Sequence, residues 1–86
     1  MIKNYLLFFT PMCPNCPSVK DYMKMIRLEG KFVDATERNG YTLAAHYSVF
    51  SVPTVIFFDE QEHEIGRAQS IGQIKRLIEN KQLADI

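Results

Sequence analysis

Apolar residues concentrate in two unbroken runs, Tyr5-Leu6-Leu7-Phe8-Phe9 and the stretch ending Val55-Ile56-Phe57-Phe58, and elsewhere recur at helical or alternating intervals. A run that is apolar on both faces is the mark of a strand covered on both sides. The first run predicts a buried strand over residues 3–9, stopped by Pro11, which also biases Thr10 toward extended backbone. The second predicts a strand over 52–58. Pro53 is tolerated there because it falls at the strand's start rather than its middle. Between them the period changes. Val19, Tyr22, Met23 and Ile26 recur at helical spacing, with Lys20, Lys24 and Arg27 on the flank, and predict a helix over 14–29. Met25 and Leu28 point elsewhere, so that helix is expected to be covered on more than one side. Pro14 and Pro17 suit a helix start, where the backbone N–H groups lack intrahelical partners. Gly30 reads as the helix stop.

A short strand over 31–34 follows, then a polar loop over 36–40. A short helix over 41–47 turns Leu43, Ala44 and Tyr47 inward. After the second apolar run, residues 59–62 form a turn without the glycine an ideal hairpin would carry. Residues 64–68 alternate as a half-solvated edge strand. A last helix, starting at 70 or 72 and running to 83, places Ile71, Ile74, Leu77 and Ile78 on one face. The order β-α-β-α-β-β-α implies one α/β domain over residues 1–86, a small mixed sheet with helices on both faces. Right-handed crossover makes the strands of the first β-α-β unit parallel.

Charge removes one class of function. Ten Lys and Arg balance ten Asp and Glu, whereas an electrostatic nucleic-acid binder shows a basic excess. The five apolar residues after Met1-Ile2-Lys3-Asn4 fall short of a signal-peptide core, and no run nears the ~18 residues of a membrane span. The expectation is a cytoplasmic protein without membrane contact. In that compartment thiols stay reduced, so cysteines are kept for chemistry or metal rather than as staples.

The two cysteines both lie in Thr10-Pro11-Met12-Cys13-Pro14-Asn15-Cys16-Pro17, between a buried strand and a helix. The free N–H groups and dipole of a helix N-terminus favour a thiolate. Thiols so placed can have a pKa lowered from about 8.5 to roughly 3.5–7.5. Redox exchange, metal binding and inert burial compete for this pair. Tetrahedral zinc wants four N or S ligands, or three plus water, and the other candidates, His46 and His63, stand in separate elements. Cys-X-X-Cys beside a β-α-β pattern favours redox exchange. Other residues get plainer readings. Lys20 reads as a solvated flank, the cluster Asp59, Glu60, Glu62 and Glu64 as a soluble hairpin tip, and both histidines as surface groups. Met12 reads as an apolar rim beside Cys13, and Phe50 as rim or exposed loop.

Cys13-Pro14-Asn15-Cys16, followed some forty residues later by Ala45-His46-Tyr47-Ser48-Val49-Phe50-Ser51-Val52-Pro53-Thr54, resembles the thioredoxin/glutaredoxin superfamily over essentially the whole chain. The resemblance implies a thioredoxin-like fold and thiol–disulfide exchange without a bound cofactor or metal. It makes Cys13 the attacking thiol, Cys16 the resolving one and Pro53 a cis-proline. Val52 would offer backbone groups to an extended substrate, with Met12, Pro14, Asn15 and Thr54 completing the groove. The implied partners are a disulfide-containing protein and a flavin- or glutathione-dependent reductase, acting on a monomer. The sequence departs from both branches. Met12 stands where thioredoxins carry tryptophan, and Leu7 where they carry a buried acid. The glycine pair and aspartate by which glutaredoxins hold glutathione have no match near Ile71-Gly72-Gln73. The short length resembles small glutaredoxin-like thioredoxins, some of which serve ribonucleotide reductases. Two alternatives stay open: a glutathione-dependent, glutaredoxin-type enzyme, and a Cys-X-X-Cys module that binds metal or a partner without turnover.

Overall fold

The computed structural model describes residues 1–80. Seven elements follow the predicted order: β1 (Asn4–Phe9), α1 (Cys16–Lys24), β2 (Glu29–Asp34), α2 (Arg38–His46), β3 (Thr54–Phe58), β4 (Glu64–Ala68) and α3 (Ile71–Asn80). Residues 81–83, predicted to finish the last helix, lie outside the described residues. The strands form one mixed sheet in the order β2-β1-β3-β4. β1 runs parallel to β2, and the β1–β3 and β3–β4 pairs are antiparallel.

The two apolar runs became the central strands because each supplies both layers of the core. Tyr5, Leu7, Val55 and Phe57 face α1 and α3, where they pack with Val19, Met23 and Ile74. Phe8, Ile56 and Phe58 face the other way onto Ala44 of α2. Alternation of side chains along a strand produces this division. Burying a large apolar side chain contributes roughly 1.5–3 kcal/mol, so these central residues dominate the stabilisation.

Several boundaries differ from the sequence reading, among them the starts of α1 at Cys16 rather than 14 and of β3 at Thr54 rather than 52, which leaves Pro53 outside the strand. α1 ends at Lys24 with Met25 as its C-cap, well short of residue 29. Ile26 and Leu28 still pack on the core, but from irregular backbone. Gly30 is therefore no helix stop. It belongs to β2, where the Tyr5 ring lies so close that a Cβ would overlap it. α2 begins three residues earlier than predicted and contains Gly40, which is buried against the Asp34 carbonyl.

The register fixes what meets at one end of the sheet. β1 ends at Phe9 beside Asp34, the end of β2. Phe8 pairs with Thr54, the start of β3, and Val55 pairs with Ala68, the end of β4. The segments carrying the cysteines, Pro53 and Gln69 therefore leave the sheet at the same edge. The β3–β4 turn, with His63, leaves from the opposite one.

Candidate active site

Cys16 is the first residue of α1, so its sulfur stands at the helix N-terminus. Asn15 occupies the N-cap position without a side-chain cap, and Pro17 in the first turn removes a donor the helix does not use. A turn closed by the Cys13 N–H donating to the Thr10 carbonyl, 3.2 Å, carries the chain from the strand into the motif. The two cysteines form a disulfide with their Cα atoms 5.4 Å apart. They are unequal in exposure: Cys13 is half-buried, whereas Cys16 is 1% exposed. Only Cys13 of the pair therefore presents appreciable surface to solvent.

The second wall comes from the segment before β3. The Val52–Pro53 peptide is cis. Pro53 is buried and Val52 half-buried, and the pairing of Phe8 with Thr54 brings this segment alongside the Thr10 end of β1. Thr54, read from sequence as part of the groove, is instead 3% exposed, and its hydroxyl donates to the Ser51 carbonyl at 2.7 Å. It shapes the loop from beneath. Ser51 is held from outside as well, by a hydrogen bond from Gln69 Nε2 to its Oγ at 2.9 Å. Gln69 is itself tied to α3, its N–H donating to Gln73 Oε1 at 2.7 Å. Arg67 of β4 donates to the Tyr47 and Ser48 carbonyls and pairs with Glu64, which fixes the far side of the same segment.

Two large apolar side chains stand clear of the surface here, Met12 at 90% and Phe50 at 92% exposure. Phe50, Val49, Val52, Tyr41 and Ala45 border a cleft of about 310 Å³ that opens beside Thr10. A larger depression, about 690 Å³, lies at the opposite end of β1 among Asn4, Leu28 and Gly30, away from the thiols. Pro14 and Asn15 are exposed next to the cysteines.

Charges near the site are few. Asp34, at the end of β2, is held below the ordinary carboxylate value by hydrogen bonds from the Thr36 hydroxyl and N–H, with a smaller contribution from Lys20. Lys20 is half-buried, its Nζ 3.9 Å from the centre of the Phe9 ring. The solvated-flank reading of Lys20 is thereby corrected. The spacing of four from Cys16 places both residues on one side of α1, but the contact with Phe9 has no local signal. Ser51 and Gln69 were not singled out either, because their partnership spans 18 residues. His46 and His63 are both exposed, the latter 3.8 Å from Asp59 at the remote turn. Among the described residues no three His, Cys, Asp or Glu side chains converge to hold a metal ion.

The sheet order, the helices on its two faces and the cysteine pair at the start of α1 are those of the thioredoxin-like fold, and the resemblance to the thioredoxin/glutaredoxin superfamily is supported. Thioredoxin O2 of Arabidopsis thaliana in its oxidised state superposes with a TM-score of 0.78 at 17% identity, over 93% of this chain and 75% of that one. A Fasciola hepatica thioredoxin gives 0.73 at 26% identity, over 91% and 79%. Thioredoxin 1 of Thermosipho africanus gives 0.64 at 28% identity, over 90% and 96%. In sequence, the SPbeta prophage-derived thioredoxin-like protein YosR of Bacillus subtilis is 29% identical over 58 residues, 67% of this chain and 70% of that protein. No protein-family model matches the chain. Fold, cysteine pair and relatives together support a thiol–disulfide oxidoreductase.

Proposed function

We propose that these 86 residues act as a single-domain dithiol carrier that reduces disulfides in other proteins. The observation that carries the reading is the unequal exposure of the pair at a helix start: a reachable Cys13 joined to a sheltered Cys16. Reduced Cys13, as thiolate, attacks a substrate disulfide and forms a mixed disulfide. Cys16 then attacks the Cys13 sulfur, the substrate leaves as a dithiol, and Cys13–Cys16 is oxidised. Val52 and Pro53 line the substrate's path together with Met12, Pro14 and Asn15, and Thr54 supports them from below. No cofactor is needed on the chain. A flavin- or glutathione-dependent reductase restores the dithiol, and the carrier works as a cytoplasmic monomer, with ribonucleotide reductase among its candidate acceptors.

Substitution of each cysteine tests the assignment. Cys13→Ser should abolish reduction of insulin disulfides, and Cys16→Ser should accumulate a mixed disulfide with the substrate, visible by mass spectrometry. Full activity in Cys13→Ser would sink it. Glutathione alone, set against a thioredoxin-reductase-type flavoenzyme, separates the glutaredoxin-type alternative. The expected potential lies between about −270 and −200 mV, and a value near −120 mV would mark an oxidant instead.

A further inference from the structure

We propose that Lys20 is a positioning residue for the resolving thiol: its ammonium, held over the Phe9 ring, favours the thiolate form of Cys16 in the step that closes the disulfide. The inference rests on the dithiol reading above and deepens it.

Cys16 needs such help. It is 1% exposed, and burial disfavours a thiolate. Its neighbours on the buried side of the helix are Val19 and Met23, and β1 carries no charged residue at all. The helix N-terminus supplies one favourable field. Lys20 supplies another. It follows Cys16 by four residues in one continuous helix, which sets the two Cβ atoms roughly 5–6 Å apart on one face. Helical side chains tend to lean toward the N-terminus, which for Lys20 is the direction of Cys16. Its head, though partly solvated, rests against aromatic rings. Nζ lies 3.9 Å from the centre of the Phe9 ring and 5.4 Å from that of Phe32. Phe9 is the last residue of β1, directly before the loop that bears the cysteines. The aromatic face thus parks a cation at the thiol end of the sheet, where an ammonium over a ring is attracted by its negative face.

The other charges around Lys20 set the size of the effect. Asp34 of β2 is close enough for Lys20 to help hold its carboxylate ionised, so it attenuates the field at Cys16. Lys24 on the same helix lies 5.9 Å over the Phe32 ring, and Asp21 is exposed. From α3, Lys75 reaches only the Tyr22 ring at 6.0 Å. In the closing step the Cys16 proton goes to solvent and its thiolate attacks Cys13 Sγ. The bond between Cys13 and the substrate sulfur breaks, and the departing substrate thiolate takes a proton from solvent. The dithiol has then given two electrons to the substrate disulfide.

The test is a titration that needs no turnover. In reduced Cys13→Ser protein Cys16 is the sole thiol, and its thiolate is followed by ultraviolet absorbance against pH. Adding Lys20→Met or Lys20→Gln should raise its pKa by about half a unit to one unit, the low end for a nearby opposite charge because Lys20 is partly solvated. Lys20→Arg should restore the parent value, and Asp34→Asn should lower it. In the otherwise unmodified protein, Lys20→Met should slow closure of a preformed mixed disulfide at pH 7 by about two- to fourfold, since the lost thiolate fraction is partly offset by a more nucleophilic sulfur. A pKa unchanged in both neutral variants overturns the proposal, as does Lys20→Arg behaving like Lys20→Met. Should one neutral variant fail to fold, the other decides. Because the titration involves no substrate, its outcome is separate from whether the chain reduces protein disulfides.

Discussion

Gly40 sits inside α2 so close to the Asp34 carbonyl that an added Cβ would overlap the oxygen. In an isolated helix alanine would be favoured over glycine by about 1 kcal/mol. Here the contact outweighs propensity, because backbone cannot yield as a flexible side chain can. Gly40→Ala should therefore destabilise the protein by about 1–3 kcal/mol, read as a lower urea midpoint with an unchanged m-value. Gly30 teaches the complementary lesson. From sequence it looked like a helix stop, since glycine after a periodic stretch reads the same whether the backbone needs freedom or a neighbour needs room. What it accommodates is the Tyr5 ring, 25 residues away. The cysteines were legible at this scale because their chemistry is intrinsic to the residue type. Lys20 was not, because its position depends on Phe9 and Phe32 from two different strands.

Among the elements, the two central strands were legible because their apolar runs admit no other burial. Helix ends were less so. Nothing in the sequence between Lys24 and Gly30 forbids another turn, yet α1 stops at Lys24, and Ile26 and Leu28 reach the core from irregular backbone. The turn between β3 and β4 lacks a glycine, yet Glu62 takes the left-handed conformation at φ 64°. Asp59 supports it by accepting hydrogen bonds from the N–H groups of Gln61 and His63, each at 2.9 Å. The bond from His63, ahead of that from Gln61, holds the Asp59 carboxyl below its ordinary value of 3.8. A group depressed in this way stabilises the fold above its unfolded pKa, and that contribution fades as pH falls through the folded value. Asp59→Ala should accordingly lower the urea midpoint at pH 7, and the gap to the parent should narrow below about pH 4. A gap independent of pH would mean that the carboxylate does not support the turn.

For the whole molecule, one mixed sheet with helices on both faces followed from the order of elements, whereas the sharing of one face by α1 and α3, with α2 on the other, came from the structure. The links that hold the Pro53 loop did not. Arg67 to Tyr47 and Ser48, and Gln69 to Ser51, join residues 18 to 20 positions apart, and no local pattern announces them. No helix among the described residues is long and apolar enough to cross a membrane. The oxidised and reduced forms should differ in global stability. The Cys13–Cys16 crosslink spans a sequence separation of 3, and so short a ring restricts the unfolded chain by only on the order of 2 kcal/mol. Urea denaturation of both forms should show the oxidised protein more stable by no more than about that amount. A larger difference would mean that reduction loosens structure beyond the ring itself.

The pairing of Phe8 with Thr54 makes the β1–β3 ladder a ruler for the chemistry. The thiols follow one strand and the proline precedes the other, and the hydrogen bonds between those strands bring the two to one mark. A slip of one residue would carry Pro53 about 3.4 Å along its neighbour. The same slip would turn Val55 and Phe57 out of the layer they share with Leu7 and into the one they do not fit. Misalignment large enough to matter to a disulfide would thus disrupt the core first, so the two large apolar layers keep the distance across the groove from drifting.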